Sequence, residues 1–326
     1  MERANIDLVQ GGVGHGSVAQ RLLQSGFNIN SLRTNDVLRK DEWSQLDTTL
    51  IDVARHRLIA VQELVSRGLV YNIGNGLGTT ILEWEQVSDM EPANVSMSGT
   101  TEGAKDIMDF ALQSMPLPII HKDFNINIRK LEASRSQGQP LDTAQAEMAM
   151  RLVMETTESM VFNGHATQVG NSTIKGLLAA PDGNTASMTN NWDTDTDGDA
   201  YLTDILLMID ALTIDNMYGP FGIFTTQKAL NRMQQDFKAN GDKSIFQRLM
   251  EIDGVSFIKA SRDIPAATAV MFQLTKDVID EVIGMQPTVV SWETNGGMTM
   301  NFKVMSIMIP RVRSTKTAQS GVVVLS

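Results

Sequence analysis

Between Tyr71 and Pro116 the sequence does not carry enough apolar material to fold on its own. Strand-like runs such as Thr79-Thr80-Ile81-Leu82-Glu83-Trp84 are broken by Gly74, Gly76, Gly78, Pro92, Gly99 and Gly103. Strand runs bounded by such breakers read as a long hairpin-like excursion, poor in core residues. The stretch from Met1 to about Lys40 poses the same problem, being rich in Gly, Asn and Ser with only weak periodicity. It reads as an extended arm holding one short helix at most. A chain with two such appendages must find the missing buried surface on another body.

The remainder is well supplied. At 326 residues and 42% hydrophobic, the chain can bury a sizeable core. No stretch approaches the roughly eighteen apolar residues of a membrane helix, so no membrane partner is expected. Met1-Glu2-Arg3-Ala4-Asn5 lacks the layout of a secretory leader, and none is expected. The chain has no Cys, which excludes disulfides and thiolate chemistry. A net charge of -11 and a pI near 4.9 remove the electrostatic attraction that dominates affinity for nucleic acid. If the protein meets DNA, it encloses it rather than grips it. The 20 methionines are flexible gap-fillers, suited to a core and to contacts that repack.

Periodicity places the elements. Asp41 can cap a helix through Trp43, Leu46, Leu50, Val53, Ala54, Leu58, Val61 and Leu64, ending at Gly68. Ile120 to Leu131 alternates, with Phe124, Ile126 and Ile128 on one side and Asn125, Asn127 and Arg129 on the other, as in a half-buried strand. Asp142 followed by Gln145 resembles a capping box that starts a long helix reaching Phe162 before Gly164. After a turn-rich span from Gly170 to Gly198, helices are expected at Tyr201–Ile214, Gln227–Phe237 and Ile245–Met250. Strands are expected at Phe221–Thr225, Val255–Ile258, Ala269–Gln273, Thr288–Glu293, Met298–Ile309 and Val322–Leu325, with a hairpin turn at Asn295-Gly296-Gly297. This is an α+β pattern.

The order of arm, helix, excursion, strand, long helix, mixed lobe and returning sheet resembles the Hong Kong 97 fold of tailed-phage capsids and encapsulins. Pro116-Leu117-Pro118-Ile119-Ile120 resembles the entry to that family's peripheral domain, and Leu131-Glu132, Arg135 and Gly138 its approach to the spine helix. Glu155 to Gly164, followed by Ile174-Lys175-Gly176-Leu177-Leu178, is similar to the encapsulin counterpart, and Tyr218-Gly219-Pro220 leads into a strand and helix as in the axial domain. The resemblance implies an N-terminal arm at 1–40, a helix region at 41–70, an extended loop at 71–116, a peripheral domain at 117–163 with the spine helix, an axial domain at 164–286 and returning peripheral strands at 287–326. It implies a non-enzymatic major capsid protein that self-assembles through hexamers and pentamers into an icosahedral shell. That shell would enclose double-stranded DNA in a virion built in the host cytoplasm, with portal, scaffolding or decoration proteins as further partners. The alternative is an encapsulin-type compartment enclosing enzyme cargo. The longer arm and excursion favour the virus. Trp84 and Lys105 in the excursion, and Glu155 and Glu158 on the spine helix, are the expected intersubunit contacts. Some relatives with this fold crosslink subunits through a Lys and an Asn with a Glu as base, and Lys105 is the excursion's one Lys.

Other constellations compete. Gly11-Gly12-Val13-Gly14-His15-Gly16-Ser17 invites a dinucleotide-binding reading, but the third glycine position falls on Ser17 and no parallel βαβ unit follows. A flexible arm is the preferred reading, and no organic cofactor is expected. Asp193, Asp195 and Asp197, with Gly198 sixth and Asp204 twelfth, match the spacing of an EF-hand loop and nominate calcium or magnesium. The competing reading is an acidic turn beside the start of the next helix, favoured by the helix dipole. His15, His56, His121 and His165 lack metal-ligand spacing. Ser159 and Ser172 lack a nucleophile's context, and Glu155 with Glu158 reads as a solvated or salt-bridged helix face rather than as an acid/base pair.

Overall fold

The computed structural model describes residues 58–88, 95, 97, 98, 100, 107–130, 144–170, 172–238 and 243–326. In chain order its elements are α1 (Ala60–Ser66), β1 (Val70–Asn72), β2 (Ile81–Val87), β3 (Phe110–Pro116), β4 (Ile120–Asn127), α2 (Ala144–Asn163), β5 (His165–Val169), β6 (Ser172–Ile174) and β7 (Asn184–Ala186). They continue as α3 (Gly198–Ile214), β8 (Phe221–Thr225), α4 (Gln227–Arg232), α5 (Ile245–Met250), β9 (Val255–Ala260), β10 (Ala269–Gln273), β11 (Ile279–Thr294), β12 (Thr299–Val312) and β13 (Val322–Leu325). The chain forms two compact units, with boundaries at 80/81, 115/116, 161/162, 280/281 and 310/311.

The first unit contains a four-stranded sheet in the order β1-β11-β12-β4. β4 runs antiparallel to β12 from Thr299↔Asn127 to Ser306↔Ile120, and β1 pairs parallel to β11 from Val70↔Glu281 to Asn72↔Ile283. The expected turn joins β11 to β12, with Asn295, Gly296 and Gly297 all at positive φ. α2 buries Ala146, Ala149, Met150, Val153, Met154, Thr157, Glu158 and Val161, the i, i+3, i+4 spacing of one helix face. Its 20 residues give a rod about 30 Å long. Asp142, the expected cap, lies outside the described residues, as do the arm and the part of the Trp43 helix before Leu58.

The second unit is built on a five-stranded sheet in the order β7-β13-β10-β8-β9. Its inner strands are antiparallel at β13-β10 and β10-β8, while the edge strands β7 and β9 run parallel to their neighbours. Alternation assigns the faces. Phe221, Ile223, Ala269, Met271, Val323 and Leu325 meet Tyr201, Ile205, Met208, Leu212, Ala229, Ile245 and Leu249 from α3, α4 and α5. On the opposite face Phe224 packs edge-on against Phe162 at 5.2 Å and stacks on Phe272 at 5.8 Å, with Phe257 beside them. The helix ends follow their sequence signals: Thr226 caps α4, and Ser244 with Gln247 forms a complete capping box on α5. The ribbon of β2 and β3 also belongs to this unit.

Some elements differ from the sequence expectation. β11 begins at Ile279, not Thr288, and β9 extends to Ala260. β6 and β7 lie inside the span read as turn-rich, and β5 fills His165–Val169 just before it. Residues 71 and 72, placed in the excursion by sequence, are paired strand in the first sheet. No described helix is long and apolar enough to cross a membrane.

Candidate functional site

The described part of the excursion is a two-stranded ribbon, closed at one end by Leu117 N–H donating to Thr80 O and at the other by Ser88 N–H donating to Asp109 O. Its root is buried at Leu82 and Met115. Beyond the root its apolar side chains face outwards: Phe110 is 56% exposed and Leu112 66%, while Ile107, Val95 and Met97 are almost bare. Exposed large apolar residues concentrated on one projecting element are the mark of an interaction surface. Trp84 on β2 lies over the Arg311 guanidinium, 5.7 Å from ring centroid to charge, so at least one of its faces is occupied within its own unit. Lys105, the excursion's one Lys, falls outside the described residues.

The two glutamates of the spine helix have separate local roles. Glu155 accepts from Arg151 Nε at 2.9 Å, one turn earlier on α2. Glu158 is buried, and its two oxygens accept from Ala60 N at 2.7 Å and Val61 N at 3.4 Å. Those are first-turn N–H groups of α1, which have no partner inside the helix, and Ile59 at the N-cap supplies no side-chain acceptor. Glu158, expected to face a neighbouring subunit, caps α1 within its own unit. Sequence carries no signal for this, because the partners are backbone groups far away in the chain.

The carboxylates of the acidic loop also have local partners. Asp204 is fully buried, with Oδ1 accepting from Thr189 N at 2.9 Å and Thr189 Oγ1 at 2.5 Å, and Oδ2 from Trp192 Nε1 at 2.8 Å. Asp193 accepts from the Thr226 hydroxyl and from Ala267 N at 3.0 Å. Asp195 Oδ1 takes Thr196 N and Asp197 N, and Asp197 caps α3 by accepting from Asp199 N at 3.1 Å. The four carboxylates thus serve four different places instead of converging, and among the described residues no group of three or more His, Cys, Asp or Glu is arranged to hold a metal. Tyr201 donates to Trp192 O at 2.7 Å, and burial, reinforced by Asp195, pushes its phenol well above the ordinary range. The loop is a helix-starting brace. His121, 3.7 Å from Asp123, and His165, bonded to Thr167, are both exposed. Ser172 shares a 2.7 Å hydroxyl contact with Ser114. The glycine run at Gly11 lies outside the described residues.

Sequence reading missed one buried charge cluster. Asp280 on β11 accepts from Arg311 Nε at 2.8 Å, Arg311 Nη2 at 2.5 Å and Arg313 Nη2 at 2.6 Å. Burial lowers the Arg313 pKa, and Asp280 opposes that shift. A forked guanidinium on a carboxylate is the geometry in which buried charge is tolerated.

Comparison with known proteins places this arrangement. The type 1 encapsulin shell protein EncA of Myxococcus xanthus (strain DK1622) is 24% identical over 279 residues, which cover 85% of this chain and 90% of the relative. The crystal structure of a virus-like particle from Pyrococcus furiosus is similar with a TM-score of 0.62 at 18% identity, covering 87% of this chain and 98% of that one. The capsid of Myoviridae phage XM1 follows with a TM-score of 0.61 at 14% identity, covering 80% of this chain and 90% of the phage protein. The expected α+β Hong Kong 97 fold is thereby borne out, close to the encapsulin branch. A family of unknown function, DUF6260, matches residues 30–325, and the chain belongs to that family.

Proposed function

We propose that this chain is the major capsid protein of a tailed phage, assembling through hexamers and pentamers into an icosahedral shell around double-stranded DNA. The observation that carries the reading is the exposed apolar surface of the β2–β3 ribbon, on a fold shared with capsid and virus-like particle proteins. Such surface is stable in water only when another body covers it, and in a closed shell that body is the next copy. In this reading the β2–β3 ribbon belongs to the extended loop, 116–161 with 281–310 make the peripheral domain and 162–280 with 311–326 the axial domain, because β13 pairs with β10 and not, as expected from sequence, with the peripheral strands. The acidic composition suits a wall that contains DNA without sequence-specific contact.

The second reading, a compartment shell holding enzyme cargo, is favoured by the extent of the match to EncA. Electron microscopy and nuclease treatment of native particles test both. Closed shells with nuclease-resistant DNA support the capsid; closed shells free of DNA but holding a co-purifying protein assign the compartment. Small oligomers without shells at any salt or protein concentration overturn both.

A further inference from the structure

The ribbon is attached to its own unit in an unusual way. Beyond the buried root residues Leu82 and Met115, a set of polar bonds ties it to the chain at 314–316. The two N–H groups of the Gln86 side-chain amide are shared among Ser314 O at 2.8 Å, Thr315 O at 2.7 Å and, more distantly, Ser314 Oγ at 3.1 Å. Its own oxygen accepts from Gln113 Nε2 of β3 at 2.9 Å, so both strands are drawn into one knot. Lys316 donates its backbone N–H to Val87 O at 3.3 Å and pairs through its ammonium with Asp109. Ser314 is itself anchored, donating to Asp182 at 2.7 Å, and Trp84 rests on Arg311, which Asp280 fixes.

We infer that residues 311–316 form a polar latch on the β2–β3 ribbon, with Gln86 as its central bolt, and that this latch sets the direction in which the ribbon is presented to a second copy of the chain. The second half of the statement rests on the shell-forming reading; the first does not. The physical reason is the division of labour along the ribbon. Its large apolar side chains, Phe110 and Leu112, remain exposed, so apolar packing does not hold this stretch down. Hydrogen bonds fix direction, because they weaken steeply with misalignment, whereas apolar contact is tolerant of sliding. A ribbon held by directional bonds keeps one angle while leaving its apolar surface free for an interface.

Hydrogen–deuterium exchange on the full-length protein tests the latch with Gln86→Ala, Lys316→Ala and the double variant. Gln86 and Lys316 are not part of either core, so the sheets of both units serve as internal controls. In the double variant, amides of β2 and β3 are expected to exchange about tenfold faster or more, while β8 and β10 are unchanged. Salt at about 1 M, which screens charge beyond about 3 Å, reproduces the Lys316→Ala effect but not that of Gln86→Ala. Ribbon exchange within about twofold of the parent in the double variant overturns the latch, whatever the oligomeric state. Faster ribbon exchange with an unchanged particle size distribution overturns the presenting role alone. Faster exchange in the variant, with a parent protein that itself never forms shells, leaves the latch standing and counts against the shell-forming reading instead.

Discussion

Glu158 illustrates how far a residue's role depends on what its environment offers it. On α2 it stands where i, i+3, i+4 spacing puts it on the buried face, and an ionised carboxylate is costly there without donors. The donors are the orphan N–H groups of Ala60 and Val61, so one residue satisfies a helix start and its own charge together. Glu158→Gln keeps the shape but offers one neutral acceptor in place of two charged ones. It is expected to lower stability by about 2 kcal/mol, seen as an earlier denaturant midpoint, with faster amide exchange at Ala60 and Val61. An unchanged midpoint and unchanged local exchange would remove the capping role. The four aspartates from Asp193 to Asp204 teach the same lesson in reverse. Their spacing is that of a cation loop, yet Thr189 and Trp192 bond Asp204, Thr226 and Ala267 bond Asp193, and backbone N–H groups of the loop itself bond one oxygen each of Asp195 and Asp197.

At the scale of elements, close approach of backbone decides one connection. The loop from Ile73 to Thr79 leads from β1 to the ribbon and crosses β11 at a pair of glycines, where a Cβ on Gly76 would sit 2.4 Å from the Gly284 carbonyl carbon. Gly76→Ala must push the loop away from β11, at a cost of about 1–3 kcal/mol. Gly74→Ala, whose added Cβ meets nothing within 4 Å, is the matched control and is expected to be neutral within about 0.5 kcal/mol. Equal thermal midpoints for the two variants would refute the crossing. Elements such as Phe221–Thr225, Ala269–Gln273, Val322–Leu325 and the α5 helix were legible because each carries its own signal, an apolar run or a capping box. The first half of β11 was not, since Asp280, Glu281 and Gly284 spoil a strand pattern unless Arg311 and Gly76 are known to lie against it. β7, three residues parallel to β13, is too short to announce itself. The candidate assembly surface was legible as an excursion lacking a core, but Gln86 and the segment it binds were not, because a single amide has no periodicity.

For the whole molecule, the same chain has to be a folded subunit and a component of something larger, and the two demands fall on different residues. The two units keep their cores in ordinary order, with Phe302, Val304 and Ile307 buried in one and Phe224, Met271 and Phe272 in the other. The ribbon spends its apolar residues outwards instead. Substitutions there should therefore separate folding from assembly. Phe110→Ser with Leu112→Ser removes two exposed side chains, so the thermal midpoint of the unassembled subunit is expected to stay within about 2 °C of the parent. If a neighbouring copy buries them in the particle, each loss is worth about 1–2 kcal/mol at every contact, and the subunit concentration at which shells first appear should rise about thirtyfold or more. Sedimentation velocity across a concentration series measures that threshold directly. A threshold equal to the parent's, in a variant whose subunit still folds, would mean that the ribbon's apolar face lies outside every contact in the shell.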